Sequence, residues 1–211
     1  LFNKEYQLLY QFMFKKLNNI GDCGIICDFG DEVNRSVNTS VIKLFHHIKK
    51  EVSKGNLKGI LNYTPSYNKL IINFDLEKIN SSKIFNFLKS IDFSKLKLFQ
   101  NSKNWTIPVC YDFEMDLTDI SKTLKIDKDE IINIHLNTDF FVYMIGFIPG
   151  HPFMGDLDSK LFLDRLKTPR IKIPPPTMLV AGGISSSTIQ ANQVAITGSA
   201  IIAKATKVAL M

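Results

Sequence analysis

Apolar residues in this chain switch between short unbroken runs and helical spacing, and each switch marks an element. The run Cys23 to Phe29 (CGIICDF) is short, apolar and closed by Gly30, which predicts a buried strand. Val41, Leu44, Phe45, Ile48 and Val52 then recur at helical spacing, with lysines opposite them and Gly55 and Gly59 beyond the last turn. Ile60-Leu61-Asn62-Tyr63 and Leu70-Ile71-Ile72-Asn73-Phe74 predict two strands joined by a turn at Pro65 to Asn68. A second helix carries Ile84, Phe87, Leu88 and Ile91 inward, with Ser81 or Ser82 available as its cap. Strand, helix, two strands, helix is an α/β sandwich pattern close to a split βαβ unit.

Residues Asp92 to Asn104 are polar, lysine-rich and without period. They place a boundary between a first domain, residues 1–95, and a second, residues 104–211. Trp105 to Tyr111 (WTIPVCY) predicts a strand. Leu117, Ile120 and Leu124 mark one short helix, and Asp127, three before Glu130, predicts a capped second one. Past Asn137, β-branched and aromatic residues come in short runs between Gly and Pro, the texture of a barrel or sandwich. The fold class expected is α+β.

Composition and charge change this picture little. A hydrophobic fraction of 45% against 22% charged residues suffices for a real core. No run approaches the roughly 18 apolar residues of a membrane-spanning helix. The opening LFNKEYQLLYQFMFKK is broken by Asn3, Lys4, Glu5 and Gln7, unlike a secretory leader. A soluble, cytoplasmic protein with no membrane partner is the expectation. Net charge is +6, with pI near 9.1, which raises nucleic acid as a partner. Only Arg35, Arg165 and Arg170 are arginines, and the densest basic segment, Lys43 to Lys58, falls on a predicted helix. Charge there reads as a solvated face, so no nucleic-acid partner is expected. Cys23 and Cys27 fall on one face of a predicted strand and Cys110 stands alone, which predicts buried free thiols rather than a zinc site.

The candidate chemistry concentrates in Gly146-Phe147-Ile148-Pro149-Gly150-His151-Pro152-Phe153-Met154-Gly155-Asp156-Leu157-Asp158. Prolines and glycines leave this backbone few paths, and a stiff loop loses little further entropy when it holds a ligand. Gly146, Phe147, Pro149, Gly150, Pro152 and Gly155 are therefore expected to edge a substrate pocket or partner groove, with Pro169 and Gly182 contributed from later in the chain. The best catalytic candidates are Arg170, His151 and Asp156. Arg170 suits bidentate grip of a carboxylate, or an ion pair at an interface. His151 is of the residue type suited to general acid–base work at neutral pH, or fills an aromatic slot. Asp156 and Asp158 form a carboxylate pair, or bond local backbone in a turn. Adjacent His46 and His47 diverge by about 100° around a helix and cannot chelate one metal. A favourable interaction with a helix C-terminus explains His135. No metal is expected. Nor is a Gly-rich phosphate loop present, so ATP is not expected on this chain.

Val142 to Phe153 (VYMIGFIPGHPF) resembles the signature V-Y-M-L-G-F-x-P-G-F-P-Y of the PxpB/KipI family, the small subunit of bacterial ATP-dependent 5-oxoprolinase. Leu157-Asp158, Pro169-Arg170 and Ile173-Pro174 continue it, and Gly21-Asp22, Phe29-Gly30, Pro65-Ser66-Tyr67 and Ile107-Pro108-Val109-Cys110-Tyr111 match earlier elements. The resemblance implies a ferredoxin-like first domain and a cyclophilin-like β-barrel second domain. It implies partners too: a larger homologous subunit of PxpC/KipA type and a third of PxpA type. ATP is then consumed on a partner while 5-oxoproline is cleaved to glutamate, this chain supplying part of a shared pocket. The activity belongs to the complex rather than to this chain alone. The same resemblance leaves open a regulatory protein inhibiting a sensor histidine kinase, a subunit related to allophanate hydrolase and urea carboxylase, and a structural remnant. The chain departs from the family at His151, where Phe is usual. Ile184 to Ile189 replaces a Q-T-G-I-Y-P run, and Gln193 to Met211 replaces a Gly-Gly-Trp tail.

Overall fold

A computed structural model describes residues 14–98, 103–109, 111, 116–146, 152–164, 177–181, 193–197 and 204–210. The chain divides into two compact units, Leu1–Phe99 and Gln100–Met211, each mixing helix and sheet.

In the first unit, strands β1 (Lys16–Ile20), β2 (Gly24–Asp28), β3 (Ile60–Pro65) and β4 (Lys69–Phe74) form an antiparallel sheet in the order β1-β2-β4-β3. Alternation along β2 and β4 puts Ile25 opposite Ile72 and Cys27 opposite Leu70 on the buried face. Helices α1 (Arg35–Ser53) and α2 (Ser81–Ser90) cover that face. Val41, Leu44 and Ile48 of α1 and Ile84 and Leu88 of α2 complete the core, as helical spacing predicts. Both helices are capped by asparagine: Asn34 Oδ1 accepts from the Val37 amide at 2.9 Å and Asn80 Oδ1 from the Lys83 amide at 2.9 Å. Ser81 and Ser82, expected as caps, instead occupy the first turn of α2.

Asn38 is a buried polar side chain with a structural task. Its Nδ2 donates to the Ser66 carbonyl at 3.2 Å and the Tyr67 carbonyl at 3.0 Å, tying α1 to the β3–β4 turn. Strand β1 has no counterpart in the hydrophobic pattern, because a polar edge strand carries no apolar alternation. Cys27 is buried, and burial pushes its thiol up to about 12. Cys23 lies in the turn before β2 and is exposed, so the shared strand face and double burial expected for the pair do not hold. Cys110 lies outside the described residues.

In the second unit, β5 (Lys103–Val109), β6 (Phe140–Ile145), β7 (Pro152–Gly155), β8 (Thr177–Ala181), β9 (Gln193–Thr197) and β10 (Lys204–Leu210) form a sheet in the order β5-β10-β6-β7-β9-β8. Among the described residues β5 and β8 are its two edges, and no closed barrel is present. Among the described residues only the β10–β6 pairing is parallel. Helices α3 (Leu117–Leu124) and α4 (Lys128–Asn137) lead into β6. Ile131, Phe140, Val142, Met154, Leu157 and Leu161 form the buried cluster, joined by Leu117, Ile120 and Leu124. Asp127 is the N-cap of α4 but makes no side-chain capping bond, so the expected capping box does not form. Among the described residues no helix is long and apolar enough to cross a membrane.

His135 departs most from its sequence reading. It is 3% exposed, its Nδ1 lies 2.5 Å from the Tyr111 hydroxyl, and its ring packs on Phe140. Nε2 is buried with no hydrogen-bond partner among the described residues. Burial pushes the imidazole pKa down to about 4, so the ring is neutral and the helix-dipole account fails: that interaction needs a charged imidazole.

Two outcomes follow from these buried polar groups. Replacing Asn38→Leu removes both donors to the turn and should cost about 1–3 kcal/mol in denaturant unfolding; an unchanged midpoint would show that the clamp contributes nothing. His135 has a folded pKa below its unfolded value of about 6.5, so its contribution is fully present above pH 6.5 and drains away as pH falls toward 4. The loss is on the order of 3 kcal/mol at the acid end of that window. His135→Phe should flatten this part of the stability–pH curve, which thermal unfolding at stepped pH would measure.

Candidate functional site

The site is built on the β6–β7 hairpin. Strand β6 (FFVYMI) is buried at its first four positions, a continuous apolar run that suits a strand in the middle of a sheet. Its pairing with β7 runs Phe141 with Gly155 and Val142 with Met154, then shifts so that Met144 faces Phe153 and Ile145 faces Pro152. Tyr143 is the extra residue of a β-bulge, the device by which a strand re-aims one side chain without losing its partner. Pro152 opens β7, a position where the missing amide donor is tolerated.

The bulge brings Tyr143 over Gly155. A Cβ on Gly155 would lie 2.6 Å from Cε2 and 3.1 Å from Cδ2 of the Tyr143 ring, so only glycine fits. Phe141 meets the same ring edge-on at a centroid distance of 4.8 Å. Held this way, Tyr143 is buried, and its hydroxyl donates to Asp156 Oδ1 at 2.6 Å. Asp156 is exposed and has φ 68°, in the left-handed region that aspartate tolerates better than most side chains. Non-glycine residues in this region concentrate at turns and functional positions.

Of the two readings open for Asp156 and Asp158, a carboxylate pair or local backbone bonding, each residue takes its own course. Asp158 bonds local backbone: its Oδ1 accepts from the Lys160 amide at 2.9 Å, capping a 3-10 turn at Ser159–Leu161. Asp156 takes a hydroxyl from the neighbouring strand instead, across thirteen residues of sequence. Gly146 follows β6, and among the described residues a Cβ there would meet only the flexible Met144 methyl, at 2.8 Å. Tyr143 lies within the family signature without standing out in it, and what signals its role is the glycine its ring requires. Phe147, Pro149, Gly150, His151, Pro169, Arg170 and Gly182 lie outside the described residues. In the first unit His46 and His47 are separate: His46 lies against Phe45, while His47 stacks on Phe87.

Known proteins supply the comparison. The family described as carboxyltransferase domain, subdomain C and D, matches residues 15–193. A Bacillus subtilis protein named as a 5-oxoprolinase subunit is 27% identical over 180 residues, covering 79% of this chain and 73% of that protein. A Haemophilus influenzae protein of the same name is 37% identical over 78 residues, 36% of this chain and 37% of that one. Among solved structures, TTHA0988 matches with a TM-score of 0.66 at 21% identity, over 89% of this chain. The Kluyveromyces lactis urea amidolyase matches with 0.59 at 15% identity, over 92%. This chain spans only 40% of the first structure's length and 14% of the second's. At those identities the likeness is one of fold. With most of its length matched by one family model, and with relatives named as 5-oxoprolinase subunits, the chain belongs to the carboxyltransferase C/D domain family and, within it, to the PxpB/KipI group.

Proposed function

We propose that this chain is a subunit of an ATP-dependent 5-oxoprolinase assembly, supplying one side of a pocket that holds the cyclic amide while it is opened to glutamate. The observation that carries the reading is the alignment with the Bacillus subtilis 5-oxoprolinase subunit across 79% of the chain. The hairpin supports it: a cyclic amide presents an N–H donor, and Asp156, oriented by a buried hydroxyl, is a fixed acceptor for one. Asp156 is the candidate substrate contact and Tyr143 its positioning residue. Arg170 is proposed to grip the substrate carboxylate, and His151 to be a second candidate for the acid–base chemistry.

The partners in this reading are a larger homologous subunit of PxpC/KipA type and a third of PxpA type. ATP is used on a partner rather than on this chain. The ferredoxin-like and cyclophilin-like descriptions of the two units, and a cytoplasmic location, belong to the same proposal.

Reconstitution tests it. The purified chain, combined with both partner subunits, should be required for ATP-dependent conversion of 5-oxoproline to glutamate; full activity without it would end the proposal. Tyr143→Phe should leave assembly intact and lower kcat about tenfold, because the carboxylate loses its orienting bond. Gly155→Ala should force the Tyr143 ring aside, costing about 1–3 kcal/mol of stability with a larger loss of activity. Unaltered kinetics in both variants would remove the hairpin from the pocket.

A further inference from the structure

The net charge of +6 is confined to one half of the molecule. Residues 1–99 carry 15 lysines and arginines against 9 aspartates and glutamates, whereas residues 100–211 carry 11 of each. A compositional bias toward lysine would load both halves alike, so the imbalance in the first unit needs its own cause.

The helix layer holds most of that excess. Helices α1 and α2 carry Arg35, Lys43, Lys49, Lys50, Lys83 and Lys89, with Glu51 as their one acid. Glu51 is already engaged, by Lys54 at 3.0 Å and by the Asn56 side chain at 2.6 Å. Lys43, His47 and Lys50 follow one another at helical spacing on α1, away from the buried stripe of Val41, Leu44 and Ile48. Lys83 stands one turn before Phe87 on α2. His47 and Phe87 stack across the seam between the helices, with ring planes 6° apart and centroids at 5.8 Å. This pair sets α1 beside α2, with Lys43 and Lys50 one turn to either side of His47 and Lys83 one turn before Phe87. Lys50 and Lys83 are exposed and Lys43 is half-buried.

We infer that this face of α1 and α2 docks an acidic surface of a protein partner. Three observations favour protein over nucleic acid. The cations are lysines, point charges on flexible stems that adapt to carboxylates, rather than the planar arginine forks that dominate phosphate recognition. The two rings are stacked on each other instead of standing open for bases. And the relatives of this chain are named as subunits, which implies partner proteins. The inference rests on the proposed assembly for the identity of the partner, and it assigns that partner's contact to a face of the first unit rather than to the hairpin of the second. An attraction of this kind acts on encounter rate and orientation, and it weakens as salt rises.

The test measures the affinity of the full chain for the larger partner subunit by calorimetry, at about 50 and 300 mM NaCl. The variant Lys43→Glu/Lys50→Glu/Lys83→Glu should weaken binding at least about tenfold at low salt and lose most of the salt dependence. A control of equal charge change in the second unit, Lys122→Glu/Lys125→Glu/Lys160→Glu, should bind as the unaltered chain does. Circular dichroism checks that both variants remain folded, which matters most for the half-buried Lys43. Equal weakening by both variants, or none by either, overturns the docking face. Tight binding of a single-stranded oligonucleotide that the first variant abolishes also overturns it. If the unaltered chain fails to bind the larger subunit at either salt concentration, the assembly itself is wrong. Binding that the three reversals leave untouched sinks the docking face alone.

Discussion

Strand β6 sets the geometry of the second unit. It lies between β10 and β7, and Phe140, Phe141, Val142 and Tyr143 are all buried, so neither of its faces is available to solvent over that stretch. A one-residue slip would exchange the side chains packed on its two faces, so packing on both sides holds the register. The bulge at Tyr143 is the single departure from that regularity. It spends one residue of the run on a ring that lies over Gly155 and a hydroxyl that reaches Asp156. The glycine before Asp156 accommodates the ring that the bulge delivers, and Asp156, with its left-handed backbone, takes the hydroxyl.

Much of this fold is legible in the residue pattern, for reasons that are local. The stripe Val41, Leu44, Ile48 and the run Leu70 to Phe74 announce their elements because both bury one face, and burial enforces a period. The polar edge strand β1 is not legible, since four of its five positions are exposed and the one that packs on the core, Leu17, makes no period. Caps are legible in kind and not in place: Asn80 and Ser81 are neighbours with similar capping chemistry, and the helix takes the asparagine.

The site is legible where glycine and proline constrain the chain and illegible where two side chains meet. Gly155 and Pro152 stand out in the sequence, and the structure gives each a steric reason. Nothing in the spacing of Asp156 and Asp158 says that one caps a turn while the other takes a tyrosine hydroxyl thirteen residues away. His135 shows the same limit. Its position near a helix end suggests a charged ring, whereas burial keeps it neutral, beside Tyr111 and Phe140 that the fold brings from other parts of the chain.

The clamp made by Asn38 has a consequence for motion. Because one amide group serves two consecutive carbonyls of the β3–β4 turn, that turn cannot lift from α1 by breaking a single bond. The corner and the helix should open together as one cooperative block, so slow amide hydrogen exchange in the helix would extend into the hairpin beside it. Any rearrangement of the first unit would carry this block as a rigid piece, with bending left to the segments outside it.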